Sequence, residues 1–136
     1  NKKCLLTYGS YIEYPNNVRG KFSKKVPEQI INEKIFRKTE WMTSHMRTFK
    51  YKLWKNIDKK DLYDKDGSFY KRAGDIAAMF PMLEMADDKI EYIKDTIYVY
   101  NRSNPLNEDK IDHLEQLRIE RRIRNGKTYE TLKEAP

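Results

Sequence analysis

The stretch from Gly74 to Ala86 constrains this chain most. Ile76, Met79, Phe80 and Leu83 recur at helical period, which predicts a helix with one apolar face against a core. Asp75 stands just before that face, where a carboxylate can accept a hydrogen bond from a free backbone N–H, so it reads as the N-cap. Pro81 falls inside the pattern and is expected to kink the helix or break its bonding into shorter pieces. Asp87-Asp88 ends it. A helix of this kind needs a partner layer, and 136 residues are enough for one domain with a real core but not for two.

The partner layer is readable on either side. Cys4-Leu5-Leu6-Thr7-Tyr8 reads as a buried strand, and Tyr11-Ile12-Glu13-Tyr14 continues it with alternation. Pro15-Asn16-Asn17 is a turn by composition. Pro27 to Glu33 predicts a short helix with proline at its start. Trp41 to Phe49 reads as a strand or an extended passage, and Phe49, Leu53 and Ile57 then fall at helical spacing. Asp58 to Gly67 is a charged surface loop. Ile90 to Ile93 and Thr96 to Tyr100 read as two short strands. Asn101 to Asn107 is a polar loop, and Asn107 is placed to cap a last helix. Ile111, Leu114, Leu117 and Ile123 give that helix an apolar stripe, and Asn125-Gly126 ends it. The class is α/β. Because the chain opens on a core strand, this exposed first strand is expected to pair with sequence upstream.

Composition narrows the function classes. Hydrophobic residues are 38% and charged residues 36% of the chain, but ten tyrosines and 12% aromatics argue for folding rather than disorder. The net charge of +7 favours anionic partners such as nucleotide diphosphates, nucleic acid or acidic lipid. The basic residues are scattered among 21 acids, without the run of a nucleic-acid tail. One cysteine, Cys4, excludes an internal disulfide and a multi-cysteine metal site, and is expected as a small buried hydrophobe. No apolar stretch reaches the roughly 20 residues of a membrane span. A soluble, reducing setting, cytoplasmic by default, is expected.

Few residues are placed to do chemistry. Asp75, behind Gly74 and beside Phe69 and Tyr70, has the fixed position and reach of a general base, although capping alone would also explain it. In an extended Thr43–Thr48, His45 and Arg47 share one face, where they could grip hydroxyls or a phosphate; an edge strand with surface polar residues fits the same pattern. Trp41 would join that face and can stack on a sugar, or serve as core. Asp64-Lys65-Asp66-Gly67 fails as a calcium loop because glycine comes fourth rather than sixth. It fails as a metal-binding Asp-x-Asp because no apolar strand precedes it, so it reads as a solvated turn. His113 falls on the polar side of the last helix. There is no glycine-rich phosphate loop, zinc-binding His pair or nucleophile elbow.

Four segments together carry a resemblance: Leu6-Thr7-Tyr8-Gly9-Ser10-Tyr11-Ile12-Glu13-Tyr14-Pro15, Trp41-Met42-Thr43-Ser44-His45-Met46-Arg47-Thr48-Phe49, the run from Gly74 to Ala86, and Tyr98-Val99-Tyr100-Asn101-Arg102-Ser103-Asn104-Pro105-Leu106-Asn107. In order and rough spacing the chain resembles the C-terminal, acceptor-side part of family 2-like GT-A glycosyltransferases of a bacterial and giant-virus type. The resemblance implies an inverting hexosyltransferase-like enzyme in which Asp75 is the base. It places Trp41, His45 and Arg47 in the acceptor cleft, and Asn101, Arg102 and Asn104 in a loop toward the donor diphosphate. The donor would be a nucleotide-sugar, a UDP-sugar first, and the acceptor a glycan, lipid-linked sugar or protein hydroxyl. The donor-binding N-terminal half, with its Asp-x-Asp motif and a divalent Mn or Mg, would lie upstream of residues 1–136, and this part would be inactive without it. Two departures weaken the match. Gly74 stands where the wider superfamily often has an acid, and Asn101 where many relatives have a metal-binding histidine. The competing reading is a basic α/β module that binds nucleic acid or protein without catalysis, and it lacks a basic stripe or RNA-binding motif.

Overall fold

A computed structural model describes residues 3–107 and 112–133. The chain is α/β: a mixed four-stranded sheet with flanking helices. The elements are β1 (Leu6–Tyr14), β2 (Val18–Arg19), α1 (Glu28–Glu33), β3 (Thr48–Phe49), α2 (Tyr51–Lys55), α3 (Gly74–Ala86), β4 (Ile90–Asn101) and α4 (His113–Arg124), with 3₁₀ turns at Phe36–Lys38 and Lys59–Leu62.

β1 is the middle of the sheet rather than an exposed first strand. One side pairs in parallel with β4 over its whole length; the other takes β3 near its start and β2 near its end, both antiparallel. The apolar run and its continuation at Tyr11–Tyr14 fall in one strand that begins at Leu6, with Cys4 and Leu5 just ahead of it, and Leu6, Tyr8 and Tyr11 are buried along it. Asn17 closes the turn to β2 with a positive φ of 55°, a conformation asparagine tolerates better than most residues. Likewise Ile90–Ile93 and Thr96–Tyr100 belong to a single strand. The charged pair Lys94-Asp95 between them is taken up where the register shifts opposite Gly9 and Ser10. Parallel pairing of β1 and β4 requires a crossover, which the intervening chain, ending in α3, provides.

α3 sits at the centre and is buried from Ile76 to Ala86 on every side, not along one face. β1, α2, α4 and both 3₁₀ turns surround it, as expected for a helix with apolar residues all round. It runs as one 13-residue helix through Pro81. Its N-cap is Ala73, in the left-handed region at φ 54°, so Asp75 is a first-turn residue and not the cap. Within this apolar surround Glu84 is fully buried and paired with buried Arg37. Arg37 Nη2 donates to Glu84 Oε1 at 2.7 Å, its Nε to both carboxylate oxygens at 3.1 Å, and its Nη1 to the Ile123 carbonyl at 2.8 Å. Arg124 Nη1 donates to the carbonyls of Arg37 and Thr39. α4 is thereby fixed against the turn that carries Arg37.

Other expectations shift in detail. The Trp41–Phe49 passage is irregular except for β3 and a bridge between Thr43 and Ser23. Leu53 and Ile57 are buried as their spacing predicts, but Phe49 is exposed. α4 is capped by Asp112, which accepts from the Glu115 N–H, and not by Asn107. Its buried residues are Ile119 and Ile123, whereas Leu114 and Leu117 are exposed; Ile111 lies outside the described residues. Cys4 is only half-buried, its thiol donating to the Leu6 carbonyl. The Asp64–Gly67 segment is a turn, with Gly67 at φ 81°, but Asp64 is held to α4 by Arg118 Nη2 at 2.5 Å. Among the described residues no helix is long and apolar enough to cross a membrane.

Candidate functional site

The carboxyl ends of the parallel strands β1 and β4 open onto a cleft of about 830 Å³. That is where α/β sheets bind ligands, because the loops and helix N-termini gather there. β1 contributes Tyr11 and Glu13, β4 Tyr100, and the start of α3 contributes Asp75 and Ile76. α3 runs back across the sheet, so its positive N-terminal end faces the same space.

Asp75, Arg47 and His45 form one connected group. Arg47 Nη1 donates to Asp75 Oδ2 at 3.0 Å, and Arg47 Nη2 lies 3.2 Å from His45 Nδ1. A guanidinium has no acceptor, so Nδ1 must accept; His45 is then the neutral tautomer with its proton on Nε2. Burial pushes the His45 pKa below its usual value, and the Arg47 charge pushes in the same direction, against a smaller opposing pull from Asp75. Tyr98 and Tyr100 stack on the imidazole at 4.6 and 5.7 Å between centroids, and Tyr11 meets it edge-on at 6.2 Å. The ring is thus fixed by aromatic contacts and by one hydrogen bond.

Asp75 is placed differently. Its side chain is half exposed (50%), while Arg47 is largely buried (14%). Asp75 Oδ1 accepts from the Ile76 N–H at 2.9 Å. One carboxylate face is therefore oriented from behind and the rest meets the cleft. Such a carboxylate can accept a proton from a bound hydroxyl without moving.

Four of the residues singled out by sequence thus come together: Asp75, His45 and Trp41 line the cleft, and Arg47 joins two of them. Trp41 is half-buried with its ring edge-on to Phe80 at 5.5 Å, so it is both core and cleft wall. Arg102 also lines the cleft, its guanidinium 5.7 Å from the Tyr100 ring. Asn101 and Asn104 do not. Asn101 Oδ1 accepts from Ser103 and Asn104 Oδ1 from the Leu106 N–H, so both side chains build the loop.

Sequence reasoning missed one wall. His113, Gln116, Leu117 and Glu120 of α4 line the cleft, and their spacing of three, four and seven puts them on one helix face. The helix was visible in the sequence, but which face of α4 meets the core was not. Sequence reasoning also missed Arg19 and Lys21, which add positive charge to the lining; Arg19 Nη2 is held by Ser10 Oγ at 2.9 Å and the Tyr92 hydroxyl at 3.1 Å. Among the described residues no three His, Cys, Asp or Glu side chains gather as a metal-binding set. No protein-family model, curated protein or solved structure matches this chain.

Proposed function

We propose that this chain is the acceptor-side part of an inverting GT-A-type glycosyltransferase, with Asp75 as general base. The observation that carries the reading is the half-exposed Asp75 carboxylate at a cleft on the carboxyl side of parallel strands, oriented by Arg47 from behind.

In this reaction an acceptor hydroxyl donates its hydrogen bond to Asp75. As the O–H proton passes to the carboxylate, the oxygen attacks the sugar's anomeric carbon from the face opposite the diphosphate. The bond between that carbon and the diphosphate oxygen breaks, and the electron pair leaves with the nucleoside diphosphate. Arg47 keeps the carboxylate aimed. The Nε2–H of neutral His45 is a donor for a sugar hydroxyl or phosphate oxygen, and Trp41 offers an apolar wall for a sugar ring. Arg19, Lys21 and Arg102 supply positive charge for a diphosphate. The donor half, with its Mn or Mg, belongs in this proposal to sequence upstream of residue 1.

The test is nucleoside diphosphate release from UDP-sugars by protein expressed from the full reading frame. Asp75→Asn should lower turnover by about 10²–10⁴-fold, the usual contribution of a positioned base, with an unchanged melting temperature. Wild-type turnover in that variant would remove Asp75 from the mechanism.

A further inference from the structure

A second surface has a distinct chemistry. The segment Phe49–Lys55 begins two residues after Arg47 and alternates aromatic and basic side chains. Leu53 anchors it, with no exposed surface at all. With Leu53 pointing inward and 100° between residues, Tyr51 and Lys55 project straight outward from α2, flanked by Trp54 and Lys52. Exposures agree: Tyr51 is 72% exposed, and Trp54 and Phe49 more than 40%. Lys50, Lys52 and Lys55 are all exposed and make no ion pair among the described residues.

We propose that this face docks the protein on an anionic phospholipid bilayer. Three features select that partner. The patch carries three lysines and no acid between Phe49 and Lys55, so it complements a negative surface. Trp54 and Tyr51 have exposed apolar rings, and neither polar tip makes a hydrogen bond among the described residues. Rings with a free polar tip suit the headgroup boundary, where one end is apolar and the other wet. Finally, Phe49 and Trp54 are stacked on each other, with centroids 6.5 Å apart and planes 24° apart. Each ring thus gives one of its two faces to the other, and the pair forms a single apolar knob beside the lysines, a shape suited to entering the headgroup boundary. The inference is independent of the glycosyl-transfer reading.

The test is co-sedimentation of the protein with phosphatidylcholine vesicles, with and without phosphatidylglycerol. Wild type should pellet only with the anionic vesicles and be released as salt is raised. The double variant Tyr51→Ser/Trp54→Ser keeps the buried anchor Leu53, so it should still melt cooperatively as a folded protein and lose at least about tenfold in vesicle affinity. A second variant, Lys50→Gln/Lys52→Gln/Lys55→Gln, should lose the salt dependence. No pelleting of wild type, equal pelleting of the aromatic variant, or binding to single-stranded oligonucleotides in place of vesicles would each overturn the proposal.

Discussion

Arg37→Met should be among the most damaging single substitutions in this chain, and its cost should depend on pH. Glu84 has no exposed surface, and Arg37 supplies three of its hydrogen-bond contacts. The Tyr129 backbone N–H is a further partner. Removing the guanidinium leaves a buried carboxylate without its counter-charge, which costs about 3–5 kcal/mol in comparable pairs. Protonation sets an independent scale. Neutralising a glutamate of ordinary pKa 4.5 at pH 7 costs about 3.4 kcal/mol, at roughly 1.4 kcal/mol per pH unit. Both routes give a melting temperature lower by about 10–20 °C at neutral pH for a domain of this size. The sign follows from linkage. Burial, opposed by Arg37, already raises the Glu84 pKa in the folded state, so between the unfolded and folded values the native protein holds more proton. Stability tied to Glu84 is therefore lost as pH rises through that window and regained as pH falls. Without Arg37 the window widens upward, so the deficit of the variant should shrink as pH falls from 7 to 5, by at most about 1.4 kcal/mol per unit. Thermal melts of wild type, Arg37→Met and Arg37→Met/Glu84→Met across that range decide the matter. The double variant should recover most of the loss, since both buried charges go together. A deficit that is the same at pH 5 and pH 7, or that grows in acid, would refute the reasoning.

Three further outcomes are expected. Gly20→Ala would put a methyl group into the Tyr11 ring; overpacking of that kind costs about 1–3 kcal/mol, and thermal melting should show it, with altered His45 resonances because Tyr11 touches that ring. Tyr8→Phe should cost about 1–3 kcal/mol by denaturant titration, because the Val26 N–H loses its acceptor at 2.7 Å inside the core; burial has pushed the Tyr8 pKa up to about 12. His45 should titrate below 6.5 by proton NMR, since its folded-state pKa is depressed by burial and by Arg47. Stability tied to neutral His45 is then present above 6.5 and lost as pH falls through the folded value; Arg47→Gln should move the midpoint up, and a midpoint at or above 6.5 in wild type would contradict the assignment.

How much was legible depended on whether the signal was local. α3, β1 and Leu53 of α2 were readable because their apolar spacing is a short-range property. The cap of α3 was not, because Ala73 adopts a left-handed conformation that nothing in its side chain announces. β4 read as two strands because Lys94-Asp95 interrupts the apolar pattern, and a shift in register absorbs such a pair without ending the ladder. Glu84 drew no reading from the sequence, because its partner Arg37 is 47 residues away and no spacing rule reaches that far. In the site, Trp41, His45 and Arg47 were found together because they are neighbours in sequence, and Asp75 because it opens a helix. The α4 wall was missed for a tertiary reason. Ile119 and Ile123 face the core, which turns His113, Gln116 and Glu120 toward the cleft, and Leu114, exposed, competes as a core candidate until that rotation is known.

The long strand β4 has a consequence for how this polypeptide behaves in the test tube. Among the described residues it pairs with β1 alone, and Ile97 and Val99 are exposed along it. Such a border recruits any extended segment it meets, so concentrated samples should tend to self-associate through it. Lys94 and Asp95 put charge on that border where the ladder slips, a pattern that opposes fibrous stacking.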